Sequence, residues 1–328
     1  MTTIRLIKTT LVCLTVLFCF GGNLFSETPV EKHGALVVKD GKLCDARGEV
    51  VVLRGMSLFW SQWMPQFYNE KTVRWLVDDW NVSVVRAAMA VESQGYLRNP
   101  EREKAKVFAV IDACIAANIY VIVDWHDHNA VSHEEQAVAF FKEVAAKYGK
   151  HPHVIYETYN EPLNTHKWEQ IKKYHEAVVR EIRKIDPDNL ILLGSSFWDQ
   201  AVDEASESPL EGFSNLAYTF HFYASDRGHQ ERLRARADTA MKNGLCLFVS
   251  EWGVSEASGN GPFDVEKTER WVKWMEDNQL SWCVWSIADK EETSAALRPG
   301  ASPGGNWKET DLTPGGKYIR EKLRTLNR

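Results

Sequence analysis

The feature that most constrains this chain is a rhythm: eight short, apolar, β-rich runs, each followed by a helical stretch. The runs are Val50–Met56, Val82–Met89, Tyr120–Trp125, Val154–Tyr159, Leu190–Ser195, Leu216–Phe222, Leu245–Ser250 and Ser281–Ile287. Helical patterns separate them at Glu70–Trp80, Glu101–Ala117, Glu134–Tyr148, Lys167–Ile185, Gln230–Lys242 and Val265–Asn278, with a weaker one at Gln200–Ala205 and a last one at Lys317–Leu326. Continuous apolar strands between amphipathic helices predict a parallel sheet covered on both faces. Eight such units close into an α/β fold of the (β/α)8 TIM barrel type. A doubly wound open sheet is the rival fold, but it would need a phosphate-binding glycine loop after a strand, and no GxGxxG or Walker pattern follows any run. Ahead of the runs, Ala35–Val38 and Lys42–Cys44 flank Asp40-Gly41, which predicts a β-hairpin capping one end of the barrel.

Residues 1–26 are set apart as a signal peptide. Arg5 and Lys8 precede the apolar run from Leu11 to Phe20, and Gly21, Gly22 and Ser26 supply small residues after it. The run is too short for a membrane-crossing helix, which takes about 20 residues, so a secreted or periplasmic protein with no membrane span after cleavage is expected. Residues 27–328 read as a single catalytic domain. Losing Arg5 and Lys8 moves the formal charge from −6 to −8. That balance argues against nucleic acid as a partner. Soluble carbohydrate suits the 13 tryptophans better than a polyanion does. Cys44, Cys114, Cys246 and Cys283 are widely spaced and outside any CxxC pair, so buried free thiols are expected. The mixed charges at Glu101–Lys104 and the alternating Arg232, Arg234 and Arg236 read as solvated helix faces.

In a barrel of this kind the chemistry gathers where the strands end, at their C-terminal tips. Those tips are unusually polar here: Arg86, then Asp124-Trp125-His126-Asp127-His128, Tyr156 to Pro162, His221-Phe222-Tyr223, Ser250-Glu251-Trp252-Gly253 and Trp285-Ser286. Glu161 and Glu251 end the fourth and seventh strands, so they can face each other as paired carboxylates. Asp124, His126, Asp127 and His128 could seed a metal site. On one strand, however, Asp127 points away from the two histidines, and His221 is single, so neither metal nor cofactor is assigned.

The ordered set Leu53-Arg54-Gly55-Met56-Ser57, Val85-Arg86-Ala87-Ala88-Met89, Asp124-Trp125-His126, Tyr159-Asn160-Glu161-Pro162, His221-Phe222-Tyr223, Ser250-Glu251-Trp252-Gly253 and the stretch from Trp285 through Lys290, Glu292 and Ala295-Ala296-Leu297 resembles glycoside hydrolase family 5, in particular its bacterial endo-β-1,4-glucanase (cellulase) branch. The resemblance implies retaining hydrolysis of β-1,4-glucan, with Glu161 as acid/base of raised pKa and Glu251 as nucleophile. It implies Arg86 and Tyr223 as partners of the nucleophile, and Asn160 as the group on the sugar 2-hydroxyl. His126 and His221 would donate to sugar hydroxyls, Trp285 and Trp63 would be sugar platforms, and Lys290 and Glu292 would make outer contacts. It also implies a cis peptide between Trp285 and Ser286.

One departure is Phe59, which stands where many relatives have histidine. Trp60 is divided between core packing and substrate contact, while Trp75, Trp80, Trp271 and Trp274 are assigned to packing. The expected partner is a β-glucan polysaccharide or oligosaccharide, and a monomer is expected. A β-mannanase or xyloglucanase of the same fold, or a non-catalytic carbohydrate-binding barrel, remains the alternative.

Overall fold

The computed structural model describes residues 27–328, so the expected signal peptide lies outside the described residues. Two short strands, β1 (Leu36–Lys39) and β2 (Lys42–Asp45), pair antiparallel across the Asp40-Gly41 turn. Eight more follow: β3 (Arg54–Leu58), β4 (Val84–Ala90), β5 (Tyr120–His126), β6 (Val154–Glu157), β7 (Ile191–Leu193), β8 (Leu216–Tyr223), β9 (Leu247–Gly253) and β10 (Ser281–Ile287). Each pairs in parallel with its neighbours, and β10 returns to β3 to close the barrel. Among the described residues no helix is long and apolar enough to cross a membrane.

The pleat sorts the strand residues by layer. On β4, Val85, Ala87 and Met89 face the surrounding helices, whereas Val84, Arg86 and Ala88 point inward. On β5, Tyr120 and Ile122 point inward low in the barrel, and Asp124 and His126 do so above them. The lower interior is therefore an apolar floor of Val84, Tyr120, Ile122, Ile155, Leu192, Phe248 and Cys283, closed from beneath by Leu36 and Leu43 of the hairpin. Gly55 is required for barrel closure, because a Cβ there would meet the Val84 carbonyl oxygen at 1.7 Å. Trp80 and Trp271 are fully buried under the helices, and Trp75 and Trp274 pack against the same core. All four described cysteines are buried and free.

Several boundaries differ from the sequence reading. The first run enters the sheet only at Arg54, because Val51 and Leu53 are drawn down into the floor. The fourth strand stops at Glu157 and the fifth spans only Ile191–Leu193, so both release their polar tips as loops early. The weak helix expected at Gln200–Ala205 forms at Val202–Glu207, preceded by a tight turn at Ser196–Asp199.

One irregularity matters for the site. Thr219 and His221 of β8 pair with Phe248 and Glu251 of β9, two steps against three. β9 likewise carries an extra residue against β10. This bulge lets Ser250 and Glu251, adjacent in sequence, both reach the interior.

Candidate active site

Above the apolar floor sits a buried ionic layer centred on Arg86. Its Nε donates to Glu157 Oε2 at 2.7 Å, its Nη1 to Glu251 Oε2 at 2.9 Å and its Nη2 to Asn160 Oδ1 at 2.7 Å, and Nη2 also lies 2.9 Å from Asp124 Oδ2. A guanidinium offers five donors in a rigid fork, so one cation holds groups from β5, β6 and β9 in register. The Tyr223 hydroxyl donates to the other oxygen of Glu251 at 2.7 Å. Both Glu251 oxygens are thus occupied by donors and held in place. Asn160 spends its carbonyl on Arg86, which leaves its buried Nδ2 without a partner. An unsatisfied amide at the cleft floor is a donor awaiting a ligand hydroxyl.

Glu161 follows β6 in a left-handed conformation, φ 50°, with 16% of its side chain exposed. Its Oε1 lies 3.1 Å from His221 Nδ1. Ser250 Oγ donates to Glu157 at 2.6 Å and therefore accepts from His221 Nε2–H at 2.9 Å. One oxygen of Glu161, one of Glu251 and a ring nitrogen of His221 all lie within 4.8 Å of one another. Burial depresses the basicity of His221, but Asp199, Glu157, Glu161 and Glu251 outweigh it and hold the ring well above the ordinary histidine range. Burial pushes Glu161 up, yet its hydrogen bond to His221, the charges of His221 and His128, and Arg86 bring it below the usual carboxylate range. Glu251 is raised by burial and by Glu161, against the pull of Arg86 and His221.

This order corrects the expectation of a raised Glu161. The cause is His221, whose Nδ1 lies 3.1 Å from the Glu161 carboxylate.

His126 is pushed far below its ordinary range by burial, with the charge of Arg86 adding to it. Its Nδ1 lies 2.7 Å from Asp124 Oδ2, which fixes the orientation of the ring.

Trp285 stacks on His126 with ring centroids 5.3 Å apart, and its peptide bond to Ser286 is cis. Phe59 lies 5.0 Å from Trp285, Trp63 lies 6.2 Å from Phe59, and Trp60 meets His126 edge-on at 4.1 Å. These aromatics form a continuous arc, and Trp63 is 54% exposed at its outer end. Lys290 reaches Glu292 at 2.5 Å and sits 4.6 Å over the Phe59 ring. The position where a histidine was expected is thus a cation–aromatic contact.

Of the eleven residues singled out in the sequence, His126, Glu161, Tyr223, Glu251, Trp285 and Glu292 line one cleft, Arg86, Asn160 and His221 are bonded into the layer beneath it, and Trp63 and Lys290 join it through Phe59. Four others were missed. Glu157 and Ser250 are inward partners of Arg86 and His221, and only their positions next to polar tips hinted at them. His128, assigned to a loop, lies 3.8 Å from Glu161 Oε2 and lines the cleft; His133 stays in the loop, bound to Asp127. Asp199, in the turn just ahead of the weak helix, accepts from the Glu161 backbone N–H at 3.0 Å. Of Asp124, His126, Asp127 and His128, the four that could have seeded a metal site, Asp127 turns away to Trp125 Nε1 and His133.

Comparison with known proteins agrees with this geometry. Residues 44–291 match the family model described as Cellulase (glycosyl hydrolase family 5). An endoglucanase of Clostridium saccharobutylicum is 42% identical over 88% of the chain and 65% of its own length. Endoglucanase Z of Dickeya dadantii is 46% identical over 83% and 62%. The chain thus spans less than two thirds of either relative's length. A solved structure from Cytophaga hutchinsonii superposes with a TM-score of 0.90 at 49% identity, covering 92% of this chain and 98% of that one. The catalytic domain of a Thermobifida fusca endoglucanase, solved in complex with cellotetraose, gives 0.86 at 31% identity, covering 91% and 100%.

Proposed function

The chain belongs to glycosyl hydrolase family 5, and from that premise we propose that it cleaves internal β-1,4-glucosidic bonds of cellulose or a related β-glucan with retention of configuration. The observation that carries the reading is the spacing of the two glutamates. Their nearest carboxylate oxygens lie within 4.8 Å, which suits a retaining pair at about 5–5.5 Å and leaves no room for the water that inverting enzymes hold at about 6.5–9.5 Å.

In the first step Glu251, ionised and aimed by Arg86 and Tyr223, attacks the anomeric carbon. The C–O bond breaks, and Glu161, which must first take up a proton, gives it to the departing oxygen. In the second, water attacks the glycosyl-enzyme ester and returns a proton to Glu161. The free Nδ2 of Asn160 meets the 2-hydroxyl, where charge develops in the transition state. Trp285, Phe59 and Trp63 form a floor for sugar faces on one side of the scissile bond, which suits a chain longer than one sugar. The apolar run near the N-terminus favours a secreted or periplasmic location.

Soluble β-1,4-glucan and cello-oligosaccharides test the proposal, with β-mannan, xyloglucan and lichenan alongside. The wild type should cut internal bonds and release the β-anomer first, as read by NMR. Glu161→Gln and Glu251→Gln should each lose on the order of 10³-fold or more in kcat while still binding oligosaccharide. Activity that survives either substitution, or release of the α-anomer, would sink the mechanism.

A further inference from the structure

We propose that Asp199 is a positioning residue for acid/base catalysis, pinning the backbone of Glu161 and sharing one proton with its carboxylate beside His221 Nδ1. The inference rests on the two-glutamate reading above.

The geometry is specific. Asp199 is fully buried, and its two oxygens divide their work: Oδ1 accepts from Ser195 N–H at 2.6 Å and Oδ2 from Glu161 N–H at 3.0 Å. The same Oδ2 lies 3.5 Å from His221 Nδ1, on which Glu161 Oε1 also converges at 3.1 Å. One N–H of a cationic imidazole thus stands between two carboxylates.

The local backbone is unusual on both sides. Phe197, Trp198 and Asp199 are left-handed in succession, at φ 62°, 56° and 59°, and Glu161 is left-handed at 50°. None is glycine, and such conformations persist where surrounding contacts over-determine them. The bond from Glu161 N–H to Asp199 ties one left-handed segment to the other. Space is tight as well, since a Cβ on Gly194 would come within 3.0 Å of Asp199 Oδ1.

Two carboxylates facing one N–H cannot both be comfortably ionised in a dry site, so a proton arriving on one favours ionisation of the other. Burial raises Asp199 to about 7, with Glu161 adding to the rise and His221 opposing it. When Glu161 is ionised, His221 Nδ1–H is directed to it and Asp199 holds the proton. When Glu161 is loaded, the N–H turns to an ionised Asp199. The proton that Glu161 lends to the leaving oxygen is returned by the attacking water, so the count closes over one turnover. Arg86 from β4, His128 after β5, Glu157 from β6, His229 after β8 and Glu251 from β9 surround this unit and set its background charge.

Leaving-group dependence tests the idea. On the full chain, kcat/KM is measured for phenyl β-cellobioside, whose departure needs a proton, and for 2,4-dinitrophenyl β-cellobioside, whose departure does not. Asp199→Asn should lower the first about tenfold or more and change the second by less than about twofold. It should also move the alkaline limb of the phenyl profile to lower pH, because removing a neighbouring negative charge makes Glu161 lose its proton more readily. Asp199→Ser, smaller and uncharged, gives the same readout should the amide variant misfold. Equal losses on both substrates with an unmoved alkaline limb would overturn the proposal and leave Asp199 a structural residue. A wild type inert on both substrates and on soluble glucan would instead remove the two-glutamate reading, and this inference with it.

Discussion

The two ends of the barrel interior are built from the same strands and obey opposite rules. At the floor, Val84, Ile122, Ile155, Leu192 and Phe248 meet with no charge among them, and hydrophobic burial alone holds them. One pleat repeat higher, Arg86 and Asp124 replace Val84 and Ile122 on β4 and β5, and Glu157 and Glu251 complete a buried ionic cluster. Buried charges are costly unless paired, so this upper layer is a poor way to gain stability and a good way to fix orientation. The floor gives the strands a reason to associate, and the mouth spends part of that gain on pre-aimed donors.

The sharpest way to break the comparison is to damage each layer once. Arg86→Ala leaves up to three buried carboxylates without their cation and should cost about 3–5 kcal/mol by denaturant titration, with activity lost as well. Ile122→Ala should cost a comparable amount, about 2–5 kcal/mol, while activity per folded molecule stays near wild type. Loss of turnover in folded Ile122→Ala would show that the layers are not separable.

A smaller effect comes from the back wall of the mouth. His175, fully buried, donates Nε2–H to the Gly194 carbonyl at 2.8 Å and accepts from Thr158 Oγ1 at 2.9 Å. Burial lowers it to about 4, with the Gly194 bond opposing. The unfolded chain therefore binds a proton that the native ring refuses between pH 6.5 and 4. Stability from this group is intact above 6.5 and falls as pH drops to about 4, by roughly 3 kcal/mol in all. Melting curves across that window should show the slope, and His175→Gln should flatten it.

The smallest effect concerns the rim. Trp63→Ala removes an exposed platform that orders nothing else, so KM for cello-oligosaccharides should rise about three- to tenfold with kcat little changed. A fall in kcat instead would place Trp63 nearer the reacting bond than the arc of rings suggests.

The floor and the two glutamates were legible in the sequence for the same reason. A fully buried parallel strand must be apolar along its length, so a polar group at its tip announces itself, as at Asn160-Glu161 and Ser250-Glu251. What stayed hidden depended on relations between strands. Strict alternation would turn Ser250 away from the cleft if Glu251 faces it, and the extra residue in β9 is visible only against β8 and β10. Asp199 sits in the turn ahead of the weak helix, where three successive residues are left-handed, which no local propensity foretells. The protonation order failed for a related reason: sequence shows which groups meet, but their relative affinity for a proton follows from ångström-scale distances to His221.

The bulge in β9 also bears on how such a protein can change over generations. With one residue fewer between Phe248 and Glu251, the plain pleat would still face Glu251 inward but would turn the preceding side chain outward. The Ser250 hydroxyl that links His221 to Glu157 would be lost while Glu251 stayed in place. This strand can therefore drift by substitution at its outward positions, such as Val249, yet it is closed to single-residue insertion or deletion. Diversity in the cleft must enter instead through the loop beyond Gly253, where chain length can vary without disturbing the register.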